Sequence, residues 1–409
     1  MHDLSFLYEL FVVFCSATIV VLIFHRLKLP HIVGFLVCGI LVGPQGLNLI
    51  TRLEDIDVLA EIGIVLLLFT IGLEFSLAEL RRIKNYVLLG GLLQVIGTAG
   101  VAFVVAMLLG ISMATAIFIG LLTVHSSTTI TMTVLSGRGE ADSVHARIIL
   151  GISLFQDLCT VPMMLITPML GAGSGFDPIS LVFSLGKASL LIGLVLVLAI
   201  FVIPRLLEVI VWARLREILV LGIVVFCMGI AWLTSSLGLS LALGAFIAGL
   251  AISESPYSHQ VFAEILPLKD LFISLFFISI GMLLDLTFLK DHLLLLLVLV
   301  GVICLVKAAI GGLVVKMISG STRLAILVGL AIAHVGEFAF VLAKFGLPFQ
   351  ILDSNIYQGF LASTVLTMIV TPLLMVIAPH LAQRVPDRLD SNLTKPTPIT
   401  SSSHLAGLR

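Results

Sequence analysis

Apolar residues run along this chain in blocks of roughly twenty, each ended by a charge, a turn or a proline, after which another block begins. That is the length an α-helix needs to cross a hydrocarbon core of about 30 Å. Read this way, the pattern predicts thirteen membrane-spanning helices: 5–25, 30–47, 57–75, 86–110, 113–136, 144–170, 178–203, 216–236, 239–253, 267–286, 292–316, 323–345 and 355–382. The second and ninth are short, which suits helices that are tilted, broken or shielded by neighbours. The expected fold class is an all-α polytopic membrane protein.

The basic residues test the count. Loops after odd-numbered spans hold seventeen Lys and Arg and loops after even-numbered spans only three (Arg52, Lys290, Lys344), a ratio that a miscounted helix would have scrambled. The N-terminus is therefore expected outside and the C-terminus in the cytoplasm. Only Lys187 and Lys307 remain once the loops and span edges are counted, and both fall inside spans.

Composition adds exclusions. The chain is 60% hydrophobic and 11% charged, with a mean hydropathy of +1.24, whereas an average globular chain is about 25% charged. Disordered, nucleic-acid-binding and ordinary cytosolic classes are excluded together. A net charge of −1 implies no strongly charged partner, so the bilayer is the expected surrounding. The five cysteines (Cys15, Cys38, Cys159, Cys227, Cys304) lie far apart within apolar runs and form neither a disulfide framework nor a metal knuckle. The first run is too long for a cleavable signal and lacks a small-residue cleavage site.

A repeat lies beneath this pattern. Residues 118–136 (FIGLLTVHSSTTITMTVLS) match residues 327–345 (LVGLAIAHVGEFAFVLAKF) at an offset of 209 positions, with Gly120 on Gly329 and His125 on His334. At nearly the same offset, residues 66–75 resemble 275–284 and residues 34–43 resemble 244–253. Three matches in one order are hard to assign to chance. The offset corresponds to seven helices, an odd number, so the second copy crosses the membrane in the opposite sense. Two inverted six-helix repeats, about 5–170 and 214–382, joined by span 7 are the layout of an alternating-access transporter.

Such transporters bind ions near the midplane, between broken helices. Spans 5 and 12 are the expected pair. Thr123, His125, Ser126, Ser127, Thr128, Thr129 and Thr131 crowd the centre of span 5, and His334, Gly336 and Glu337 stand at the matching point of span 12. Small and polar residues also serve plain helix packing, but this density beside a repeat-matched Gly-Glu favours breaks in both helices. Span 6 carries Gln156 and Asp157 between apolar turns, and position 366, the repeat counterpart of Asp157, is Leu. An ionisable residue at membrane depth is costly and marks a functional site by default. Asp157 is therefore the expected ion and proton carboxylate; the alternative is a structural salt bridge to Lys307. Lys307 either neutralises Asp157 or complements the negative ends of broken helices, and Glu337 balances the positive ends. His125 and His334 are candidates for a proton relay, although a repeat-matched pair more often packs or hydrogen-bonds. Glu74 and Asp285, at matching repeat ends, read as boundary caps.

Gln156-Asp157, GEFAFVLA (336–343), GLSLALGAFIAGLAISES (238–255) and LFFISIGMLLD (275–285) together resemble the monovalent cation:proton antiporter-2 family, in its Kef-type potassium-efflux branch. The likeness covers residues 5–382. It implies a thirteen-helix antiporter, usually a homodimer, exchanging K+ (or Na+) for H+ in a bacterial-type inner membrane. Asp157 would then bind cation or proton beside Gln156, with Ser127, Thr128 and Thr129 lining the site and no cofactor required. Kef-type chains continue into a gating nucleotide-binding domain. Here residues 383–409 are polar and rich in Pro, Ser and Thr, the expectation for a disordered cytoplasmic tail, and a gating nucleotide-binding domain or an ancillary subunit would have to be supplied from outside residues 1–409. A potassium channel would need a filter such as TVGYG, and an intramembrane protease HExxH or a second catalytic Asp; none is found. With one titrating carboxylate, exchange is expected to be electroneutral, one for one.

Overall fold

A computed structural model of the chain describes residues 2–27, 29–50, 53–74, 85–171, 205–212, 215–236, 240–253 and 255–385, with single positions between 186 and 203. Most of span 7, Lys187 with it, and the tail from 386 onward lie outside the described residues.

Among the described residues every regular element is helical. In chain order they are α1 His2–Arg26, α2 His31–Val42, α3 Leu53–Glu74, α4 Asn85–Leu108, α5 Met113–Thr123, α6 Thr128–Gly137, α7 Val144–Ile166, α8 Arg216–Ser236, α9 Leu241–Ser253, α10 Ser258–Met282, α11 Leu286–Asp291, α12 Leu293–Ser319, α13 Thr322–Ala331, α14 Glu337–Gly346 and α15 Ser354–Gln383. Taking α5 and α6 together, eight helical stretches among the described residues are long and apolar enough to cross a membrane. Helices α2 and α9 are short, at 12 and 13 residues. Large apolar side chains point outward, as on α12, where Leu294 and Leu305 are 78% and 71% exposed; lipid, not water, is the matching solvent for that face.

Several boundaries differ from the sequence reading; α2, for one, ends at Val42 rather than at 47. Helix α10 begins nine residues before the expected start and carries Pro267 in its interior. Proline removes one backbone donor, and the surrounding packing tolerates the loss. Asp285 is a true cap, its carboxylate accepting the N–H groups of Thr287 (2.7 Å) and Phe288 (3.1 Å) at the start of α11. Glu74 is the last described residue of α3, and the residues that follow it lie outside the described ones.

The helices fall into two packed groups. Helices α1–α3 and α8–α10 form one; α4–α7 and α12–α15 form the other. Within the first group, α2 meets α10 through Gly39 and Gly281, and α3 meets α9 through Gly72 and Gly249. A side chain at any of these four would run into the facing backbone, so glycine lets the helices approach to near contact. At one end of the molecule the groups are tied by Asp57 of α3, which accepts from Lys344 Nζ of α14 (2.7 Å) and from Ser279 Oγ of α10 (2.6 Å).

Candidate ion-binding site

Two helices break and cross within the second group. Helix α5 starts on Ser112, whose hydroxyl accepts from the Thr115 N–H, and ends at Thr123; after a short extended segment α6 starts on Ser127, whose hydroxyl accepts from the Ile130 N–H. In the same manner α13 starts on Ser321, capping the Leu324 N–H, and ends at Ala331, and α14 starts after Gly336. The breaks are where the polar residues concentrate, because unwound backbone at membrane depth needs partners that lipid cannot supply. Each segment supplies the other. The Gly336 N–H donates to the His125 carbonyl (3.0 Å), the Ser127 N–H to His334 Nε2 (2.7 Å), and Ser126 Oγ to the Ile332 carbonyl (3.0 Å). A Cβ at position 336 would sit 2.7–3.0 Å from the backbone of Ser126 and Ser127, so the crossing requires glycine there.

The four broken ends leave two positive poles and two negative poles in a buried region. Lys307 of α12, only 1% exposed, donates from Nζ to the carbonyls of Thr123 (2.8 Å), Val124 (3.3 Å) and His125. It therefore clamps the negative end of α5. No ion pair joins it to Asp157, so the salt-bridge alternative is not realised in this arrangement. Glu337, also buried, is the first residue of α14 and places its carboxylate at that helix's positive end, accepting from Thr129 Oγ1 at 3.4 Å. His334 accepts a backbone N–H at Nε2, and His125 Nε2 lies 3.0 Å from Thr160 Oγ1. Both imidazoles are fully buried; His334 bonds within the crossing, whereas His125 ties it to α7 through Thr160.

Helix α7 brings Gln156 and Asp157 against this crossing. Asp157 is 7% exposed; its Oδ2 accepts from Thr128 Oγ1 at 3.3 Å, while Oδ1 accepts no hydrogen bond from the protein. Gln156 donates from Nε2 to Gln94 Oε1 of α4 (2.7 Å), and its own Oε1 accepts nothing. Glu337 Oε2 is likewise without a donor. Burying an oxygen without a donor costs about 1–3 kcal/mol. Buried oxygens of this kind, two of them carboxylate, suit a dehydrated cation or a proton, either of which supplies the missing positive partner.

A cavity of about 440 Å³ lies between the two helix groups and reaches this region. Ile32 and Phe35 of α2, Leu67 of α3 and Lys269 and Phe277 of α10 line one side, and Thr129 and Glu337 the other. All nine residues expected at the site thus gather at the crossing or directly against it. Three neighbours escaped the sequence reading. Gln94 and Thr160 are polar residues in otherwise apolar helices, and their meaning depends on which helices pack together. Lys269 looks like an ordinary loop charge, yet it faces the cavity with Glu337.

Comparison with known proteins places this geometry. Residues 12–377 match the family model described as sodium/hydrogen exchanger, transmembrane. The chain is 34% identical over 383 residues to K(+) efflux antiporter 5 of Arabidopsis thaliana, covering 92% of this chain and 67% of the relative. It is 32% identical over 370 residues to the glutathione-regulated potassium-efflux system protein KefC of Escherichia coli, covering 90% and 60%. The chain spans between 54% and 67% of the length of such relatives. In three dimensions it is similar to the sodium proton antiporter MjNhaP1 of Methanocaldococcus jannaschii, with a TM-score of 0.69 at 19% identity, covering 93% of this chain and 98% of that one.

Proposed function

The chain belongs to the sodium/hydrogen exchanger family, in its Kef-type branch, and on that footing we propose that it exchanges K+ for H+ across a membrane by alternating access. The observation that carries this reading is Asp157: a buried carboxylate beside two broken helices, with one oxygen free of any protein donor. Proton and cation compete for it, and Gln156, Ser127, Thr128 and Thr129 complete the polar surroundings. Lys307 and Glu337 are held at helix ends as fixed compensating charges, and His125 and His334 lock the crossing. Only Asp157 then changes its load, so one cation moves against one proton and the cycle is electroneutral. Potassium is favoured by the K(+) efflux names of the relatives and by a neutral Gln156 beside the carboxylate.

We read the architecture as thirteen spans in two inverted repeats, with the N-terminus outside and the C-terminus cytoplasmic, assembled as a homodimer. Recurring contacts support the repeat. The Ser112 cap of α5 has its counterpart in the Ser321 cap of α13, 209 positions on. The Gly39–Gly281 approach is answered by Gly249–Gly72, with the roles of the two halves exchanged.

The test is reconstitution into vesicles with a trapped pH indicator, followed by addition of K+, Na+, Li+ or Rb+. K+-driven proton efflux that vanishes in Asp157→Asn is the expected result. Cation flux without proton movement would favour a channel, and a response to Na+ alone a sodium antiporter.

A further inference from the structure

Gln94 stands outside the residues just assigned, yet it is hydrogen-bonded to one of them, Gln156. The two glutamines belong to different helices, α4 and α7, and both are fully buried. Gln156 Nε2 donates to Gln94 Oε1 at 2.7 Å, and Gln94 Nε2 donates in turn to Thr98 Oγ1 at 3.0 Å, one turn further along α4. The chain of bonds runs from α7 to α4 and stops there. Its consequence lies at the other end of the Gln156 amide. With its NH2 group engaged, the carbonyl Oε1 is left as a buried acceptor without a donor, in the residue adjacent to Asp157.

An amide has two faces of opposite character, an acceptor and a double donor. With the donor outward, Gln156 would repel a cation and compete with it for the neighbouring carboxylate. With the acceptor outward, it offers the cation an oxygen. We propose that Gln94 is a positioning residue for transport: by accepting from Gln156 Nε2 it holds that amide with its oxygen free for the cation, and so sets cation affinity without touching the ion. This rests on the antiport reading above and adds to it a residue that sets the strength of cation binding.

The experiment uses the full chain in vesicles, measuring the KM for K+ and the maximal rate of K+-driven proton efflux. Gln94→Met keeps the size of the side chain and removes the acceptor. The K+ KM should rise roughly five- to tenfold, the worth of one buried hydrogen bond, with the maximal rate changed far less. Gln94→Glu restores an acceptor for Gln156 whether or not its carboxyl is protonated, since Thr98 can either donate or accept, and its KM should return to near wild type. In a Gln156→Glu background both outer atoms are oxygens, so adding Gln94→Met should leave the KM unmoved. A wild-type KM in folded Gln94→Met overturns the proposal, and so does a KM in Gln94→Glu as high as that of Gln156→Leu, which decides the matter even if Gln94→Met does not fold. Either result beside an inactive Asp157→Asn leaves the antiport reading standing; exchange retained in Asp157→Asn removes that reading itself.

Discussion

Replacing Lys307 by methionine strips a donor from three backbone carbonyls at once, those of Thr123, Val124 and His125. All three belong to the broken end of α5, where the intrahelical partners are missing. Each orphaned buried acceptor costs about 1–3 kcal/mol, so the gross loss is roughly 3–9 kcal/mol. Against it stands relief from burying an ammonium group, several kcal/mol in effect. Taking about 6 kcal/mol, the middle of that range, against about 3 kcal/mol of relief, Lys307→Met should be destabilised by roughly 3 kcal/mol. Glutamine at 307 is shorter and uncharged, but its amide still donates to one of the carbonyls, so Lys307→Gln should lose about half as much. The assay is thermal unfolding of the purified protein in detergent, read by intrinsic fluorescence or loss of a monodisperse elution peak, in parallel with exchange in vesicles. The expected order of stability is wild type, then Gln, then Met, with measurable exchange kept in Lys307→Gln. Equal stability of all three proteins would refute the clamp. A stable Lys307→Gln protein devoid of exchange would instead make Lys307 a proton carrier.

Three further outcomes follow from the packing and the charge count. Gly249→Val drives a branched side chain into the backbone of α3 at Phe69, so the variant should fail to give a monodisperse folded protein; an unchanged elution profile and melting temperature would show that the helices need not approach so closely. Asp57→Asn and Lys344→Gln should each lower stability slightly, by less than about 1 kcal/mol because Asp57 is 40% exposed and its ion pair is screened, and the double variant should lose no more than either alone; additive losses would mean the pair does not tie the two helix groups. A membrane potential imposed on vesicles without an ion gradient should move no protons through the protein, whereas protein- and cation-dependent movement would require a second titrating group.

How much of this could be seen in the sequence depends on the range of the interactions involved. The breaks in α5–α6 and α13–α14 were legible because unwound backbone in a membrane demands polar side chains locally, and seven of the nine residues from Thr123 to Thr131 are polar. Asp157 was legible because a lone carboxylate in an apolar run is costly to bury and marks a functional site by default. The partner of Lys307 was not. Backbone carbonyls leave no mark on the sequence, so a clamp on α5 and a salt bridge to Asp157 read alike until α12 was placed beside the broken helix. Gln94 was silent for the same reason, since one glutamine in α4 acquires meaning only when α7 packs against it. The Asp57–Lys344 tie joins residues 287 positions apart, and Pro267 misplaced the start of α10 because a proline that ends most helices is carried here inside one.

The central claim is that one carboxylate carries either a proton or a cation. It is tested most directly by counting protons released when K+ binds. Detergent-solubilised protein, loaded with protons in weakly buffered solution containing a pH indicator, is titrated with K+ against a matched ionic-strength control. The account predicts about one proton released per bound cation at a loading pH where Asp157 is protonated, and no release from Asp157→Asn. Cation binding without proton release, or undiminished release from Asp157→Asn, would contradict it.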